Sequence, residues 1–295
     1  MSREIPNPEA AEILEQEEGR DVKVSAIFER HGEKEASATS AETPLTEKGE
    51  RESAEFGRSL PKSGVVKGYS SNTPRTRRTA ELAVENSPTE VKMTETGTEK
   101  PKIRTDKGLG FYYDPEGEFF KKAKQISKDV VEKDFGDLSP EEEKNRKLTE
   151  IRNQQANYYL SFGDKRPDPF TISPVELAAL MAEKVNTYIN MADRLNSGSD
   201  VQLVNATHDF NIAAFLKEVM VLSRKEDGQP VKFEKIEEIG GGIGYNESFE
   251  VLTETDSQGN KTIKLIFRGK EYELDTKRLF ELVEIAKKFD FESVK

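Results

Sequence analysis

The chain has two histidines, and each stands where an apolar run gives way to polar sequence. His31 follows the run Val22 to Phe28 and sits in Arg30-His31-Gly32-Glu33; His208 follows Val201 to Val204 and precedes Asp209. Between them, Ser71-Asn72-Thr73-Pro74-Arg75-Thr76 places an arginine at another strand end, where a helix opens. Neutral imidazole, with a reference pKa near ~6.5, is a competent nucleophile toward phosphorus at neutral pH. Arg30 and Arg75 each offer a planar fork for two phosphate oxygens, and the helix start after Ser71 also favours an anion. His208 is a second nitrogen donor, and Asp209 is a proton source for a leaving alkoxide. Together these are a nucleophile, an oxyanion clamp and an acid, a phosphoryl-transfer set that needs no metal.

Such groups act together only at one sheet edge, where the carboxyl ends of α/β strands bind ligands. Val22 to Glu29 is too continuously apolar for a strand with one wet face, so it is placed centrally in a parallel sheet. A helix is expected from Thr46 to Leu60, with Thr46 as N-cap, Ala54, Phe56, Gly57 and Leu60 as its packing side, and Pro61 ending it. A strand over Val65 to Tyr69, a helix from Pro74 and a short strand over Val91 to Thr94 follow. Strand alternating with helix at this spacing predicts an α/β fold. The expected architecture is a three-layer α/β/α sandwich with a mostly parallel central sheet and a helical insertion.

Residues 1–20 read as an N-terminal arm, 21–104 and 172–295 as an α/β catalytic core, and 105–171 as a helical insertion over the active site. The alternative for 105–171 is two further helices of the outer layers. Its helices are expected over Phe119 to Lys133 and Pro140 to Leu160, the second opening on a Ser139/Glu142 capping box. A long helix from Ser173 buries Leu177, Leu180, Met181, Val185, Tyr188 and Ile189, and a terminal helix spans Asp275 to Phe289. Ser257-Gln258-Gly259-Asn260 predicts a hairpin between two strands. Gly240-Gly241-Gly242-Ile243-Gly244 departs from the dinucleotide pattern and leads toward strand-like sequence, so it reads as a turn or bulge. Arg77 and Arg78 read as solvated helix-face charges. Tyr112 and Tyr113 either line the pocket or pack under the insertion.

Net charge is −11, which disfavours nucleic acid as a partner because that requires a basic face. A local arginine cluster still suits a small anionic substrate. There is no cysteine, so thiolate chemistry and Cys-ligated metal are excluded, and two distant histidines make a poor zinc site. The residues imply no cofactor and no metal. No apolar run approaches the ~20 residues of a membrane span, and the acidic start lacks a signal-peptide core; the expectation is a cytoplasmic protein with no membrane partner. Oligomeric state has no signature here.

Arg30-His31-Gly32, Pro44-Leu45-Thr46 with Gly49, Ser71 with Arg75-Thr76 and Thr79-Ala80, and His208 occur in this order. In these motifs the chain resembles the histidine phosphatase superfamily of phosphoglycerate-mutase-like and acid-phosphatase-like enzymes. The resemblance implies the phosphoglycerate-mutase-like fold and a phosphomonoester hydrolase in which His31 becomes phosphorylated. Arg30, Arg75 and His208 would bind the phosphoryl group. The His208-Asp209 pair resembles the acid-phosphatase branch, in which the Asp protonates the leaving group. In the mutase branch the acid is a Glu after the second arginine motif, where this chain offers Asp114, Glu116 and Glu118. Lys34 stands where the acid-phosphatase branch has a further Arg and the mutase branch has Ser or Thr; it supplies a point charge rather than a fork. A phosphoglycerate mutase and an inactive relative that binds phosphorylated ligands are the alternative readings.

Overall fold

The computed structural model describes residues 21–35 and 42–294; the expected arm over 1–20 lies outside the described residues. β1 (Val22–Arg30) is buried along nearly its whole length, as a central strand requires; Lys23 interrupts its apolar run half-buried, and Ser25 is buried with its hydroxyl donating to Glu250 Oε1 at 2.6 Å. It is followed by α1 (Glu47–Ser59), β2 (Val65–Ser70), α2 (Pro74–Asn86), β3 (Val91–Lys92) and β4 (Ile103–Thr105). Next come α3 (Glu118–Val131), α4 (Pro140–Leu160), α5 (Pro174–Met191), β5 (Asp200–Thr207) and α6 (Asp209–Val219). The remainder is β6 (Met220–Val221), β7 (Ser223–Arg224), β8 (Pro230–Val231), β9 (Ser248–Thr255), β10 (Lys261–Phe267), β11 (Lys270–Leu274) and α7 (Thr276–Ala286).

The fold is α/β, as the strand and helix alternation predicts. Across the sheet the order is β3-β2-β5-β1-β9-β10-β11-β6, with β4 also paired to β2. The core strands β2, β5 and β1 are parallel, with β5 between the other two. Beyond β1 the sheet turns antiparallel through β9, β10 and β11. Here the connection from β9 to β10 is the expected hairpin, with Gly259 at φ 81°, a conformation that costs glycine nothing. The sheet is therefore mixed. Helical crossovers enforce parallel pairing on one side, and a short turn permits antiparallel pairing on the other.

Two helical layers cover the sheet. On one face α1 and α2 close over Ile27, Val66, Val204 and Ala206. Gly57 lets these helices approach, since a Cβ there would lie 2.5 Å from the Ala83 carbonyl oxygen. The inner side of α1 is Gly49, Ser53 and Gly57, with Leu60 just beyond, while Ala54 and Phe56 are only partly buried. Ser53 is tolerated inside because its hydroxyl has partners, with the Gly49 carbonyl and the Asn246 side-chain amide both 2.8 Å away. On the other face α5, α6 and α7 pack on Val24, Phe28 and Phe249. The six α5 positions expected in the core are all buried, as the helical repeat of apolar residues dictates. Both capping boxes, at Ser139 and Ser173, form.

Candidate active site

Parallel pairing of β2, β5 and β1 brings their carboxyl ends to one edge, and each ends on a group with chemistry. Arg30 is opposite Thr207 in the ladder, and the His31 amide donates to the Thr207 carbonyl at 3.0 Å. This sets His31 beside His208, with ring centroids 5.4 Å apart. The Ser71 amide donates to the Ala206 carbonyl at 3.2 Å, which places the first turn of α2, and so Arg75, over the same edge. Gly32 is required here, because a Cβ would lie 2.7 Å from the Gly49 carbonyl oxygen and 2.6 Å from Ser53 Oγ.

His31 Nδ1 lies 2.8 Å from the Gly32 carbonyl, so this nitrogen carries the proton. Nε2 accepts from Arg75 Nε at 3.3 Å, so its lone pair faces the arginine. Burial, with His208, Arg30 and Arg75 nearby, holds the His31 pKa well below the ordinary histidine value. Burial, with Arg75, Arg30 and Lys34, does the same to His208. The His208 ring is pinned by Ser71 Oγ, 3.2 Å from Nε2, and Ser71 Oγ is in turn 2.8 Å from Thr76 Oγ1. Arg30 donates to the Ile243 carbonyl at 2.5 Å and pairs with Asp209 at 3.1 Å. Its guanidinium lies over Tyr245, 4.3 Å from the ring centroid.

Arg30, His31, Lys34, Arg75, His208 and Asp209 all line one cavity of about 360 Å³. Asp114, Glu116 and Glu118 are not among its lining residues. Asp114 instead accepts the Glu116 amide and Glu118 pairs with Lys121. Tyr113 lines the cavity, whereas the Tyr112 hydroxyl donates to the Lys107 carbonyl and its ring meets Phe291. Arg77 and Arg78 pair with Glu81 and Glu50 on the surface. The glycine run is a turn, with φ near 94° at Gly240 and 95° at Gly241, and it presents the Ile243 carbonyl to Arg30. Sequence reading missed Arg152 of α4 and Tyr245, both on the cavity wall; Arg152 also lies over Tyr245, 5.1 Å from its centroid. Among the described residues no group of three or more His, Asp or Glu is placed to hold a metal ion, and no helix is long and apolar enough to cross a membrane.

Residues 26–99 match the family model described as histidine phosphatase superfamily, branch 1. The match covers that segment and no more. It supplies Arg30, His31 and Arg75 but ends before both sets of candidate acids, so the match does not choose between them. No curated relative matches the sequence. Among solved structures, mycobacterial hydrolase 1 is similar at 16% identity and TM-score 0.46, covering 83% of this chain and 98% of its own. A mycobacterial glucosyl-3-phosphoglycerate phosphatase is similar at 17% and 0.45, covering 82% and 97%. The protein TTHB049 from Thermus thermophilus is similar at 20% and 0.37, covering 77% and 92%.

One residue of the matched segment takes no part in this arrangement. Glu29 shares its face of β1 with Ile27, is wholly buried, and has no partner for either carboxyl oxygen among the described residues. Across the ladder it adjoins Ala206, whose other neighbour Ser70 also carries a buried hydroxyl with no partner among the described residues. Burial pushes the Glu29 carboxyl well above the usual carboxylate range. Between the unfolded and folded pKa the native state therefore binds the extra proton, and stability falls as pH rises, by at most about 1.4 kcal/mol per pH unit. His31 and His208, both lowered, act in the opposite sense as pH falls below ~6.5. Glu29→Gln leaves those two unchanged, so the difference between variant and wild type isolates Glu29. In urea denaturation at pH 5 and pH 8, the variant is expected to gain at least about 1 kcal/mol on the wild type between the two values. A constant difference would show that Glu29 ionises in the folded protein without cost.

Proposed function

We propose that the chain is a phosphomonoester hydrolase that carries the phosphoryl group on His31 Nε2 between two half-reactions. The observation that carries this reading is the orientation of His31. Its Nδ1 proton is held by the Gly32 carbonyl, and its Nε2 lone pair faces the Arg75 fork. A neutral, oriented imidazole among cations is a prepared nucleophile for an anionic ester.

In the first half-reaction Nε2 attacks phosphorus, the bond from phosphorus to the leaving oxygen breaks, and that oxygen takes a proton from the Asp209 carboxyl group. In the second, water attacks the phosphohistidine and gives its proton to the Asp209 carboxylate. The P–N bond breaks and its electron pair returns to Nε2. Arg30, Arg75, His208 and Lys34 oppose the charge on the phosphoryl oxygens, and Arg152 adds a further cation on the α4 side. Asp209 is favoured as the acid because it is the cavity carboxylate among the described residues, and because Arg30 joins it to the phosphoryl site. When the Arg30 fork turns to phosphoryl oxygens, the Asp209 carboxyl is freed to exchange a proton. Residues 105–171, through α3 and α4, serve as the cap over this site. The cavity volume suits a small phosphorylated substrate. The mechanism requires no metal.

The test is a rapid-quench experiment with a radiolabelled phosphomonoester. An alkali-stable, acid-labile label on the His31 peptide is expected, formed and lost at rates that account for turnover and undiminished by chelator. Turnover with no such label, or turnover abolished by chelator, would overturn the reading.

A further inference from the structure

The cavity has two unlike ends. Its floor is the cationic edge at His31; its walls are Phe111, Tyr113, Phe120, Phe210, Leu148 and Ile151. The aromatic side chains form a continuous surface. Phe111 stacks on Tyr113 with centroids 5.5 Å apart, Tyr113 meets Phe120 at 5.1 Å, and Phe111 meets Phe210 at 5.0 Å. This wall is fixed to the floor. Thr207 Oγ1 donates to the Leu109 carbonyl at 2.7 Å and Asn211 Nδ2 to the Gly110 carbonyl at 3.0 Å, which sets Phe111 directly above the strand ends.

Of the neutral hydrogen-bonding groups of the wall, Gln155 and Ser127 are engaged with each other. Gln155 Nε2 donates to Ser127 Oγ at 2.9 Å and to the Ala123 carbonyl at 2.8 Å, holding α3 to α4. A leaving group rich in hydroxyls would lose water against these rings and find few partners in exchange. A flat apolar leaving group would exchange water for ring contacts instead.

We infer that the preferred substrate is a phosphomonoester of an alcohol bearing an aromatic ring, seated between the α3 and α4 side chains with its phosphoryl group on the floor. This rests on the proposed phosphoryl site at His31. Phosphonates test it without turnover, so the acidity of the leaving group plays no part. Binding of methylphosphonate, benzylphosphonate and 2,3-dihydroxypropylphosphonate to the wild-type protein is measured by calorimetry. Benzylphosphonate is expected to bind at least about tenfold more tightly than methylphosphonate, with dihydroxypropylphosphonate no tighter than methylphosphonate. Phe120→Ala should bring benzylphosphonate close to methylphosphonate. Leu148→Lys, at a more exposed position that tolerates charge, should reduce the same gap. Dihydroxypropylphosphonate binding as tightly as benzylphosphonate, or a gap that survives both substitutions, would overturn this inference alone. Failure of all three to bind, methylphosphonate included, would overturn the phosphoryl-site reading and this inference with it.

Discussion

His31→Ala is expected to lower the rate of phosphate release by at least about 10³-fold. The loss is specific to the step in which a nitrogen accepts phosphorus. Arg30, Arg75, Lys34 and His208 remain at the strand ends, so inorganic phosphate should still bind. The fold should also persist, because the turn that presents His31 is set by backbone contacts of Gly32 and Thr207 rather than by the ring. Loss of turnover with phosphate binding retained, measured on a variant with wild-type circular dichroism, would place His31 at the chemical step. A variant that keeps more than a tenth of the activity would remove His31 as the nucleophile.

Asp209→Asn is expected to act through the leaving group. With an alkyl ester, whose alkoxide needs a proton as the bond breaks, phosphoenzyme formation should slow by about 10²- to 10⁴-fold. With 4-nitrophenyl phosphate, whose phenolate leaves without a proton, the same step should slow by less than about tenfold. The substitution also removes the Arg30–Asp209 ion pair, and that effect falls on both esters alike. The ratio between the two esters therefore reads proton donation apart from phosphate binding. Equal slowing of both would return the acid to Asp114, Glu116 or Glu118, and Glu116→Gln would then be the informative variant.

The residues on the cavity floor were legible because their signals are local. Each stands at or just beyond the end of an apolar strand, and a strand end in a parallel sheet points to one edge whatever the rest of the chain does. The helices were legible through caps and periodicity. Arg152 and Tyr245 were not. Arg152 lies in a helix with charges around much of its circumference, so nothing local distinguishes it from Arg146 or Lys147; only packing of α4 over the edge does. Tyr245 follows a glycine turn whose direction depends on contacts to Arg268 and Arg30. Tyr112 and Tyr113 are adjacent and chemically alike, and it is the tertiary contact of the Tyr112 ring with Phe291 that separates their roles. Nothing local marked Glu29, between Phe28 and Arg30, as a buried carboxyl lacking a partner among the described residues, because partners are supplied by neighbouring strands and layers. The antiparallel half of the sheet showed its hairpin but not its docking on β1, because pairing between strands so far apart in sequence has no local signature.

That docking has a consequence for how the protein is made. Among the described residues β1 pairs with β5 and β9, and its register joins Lys23 to Asp200 and Val22 to Thr255. Every ladder contact of the strand that presents Arg30 and His31 thus closes a loop of well over a hundred residues, an entropic cost that delays such pairing. The β9–β10 hairpin, by contrast, forms between near neighbours. During synthesis the segment bearing His31 stays unpaired until β5 and then β9 have followed it out. His31 is translated long before the strands that set it, and its setting waits on both of them.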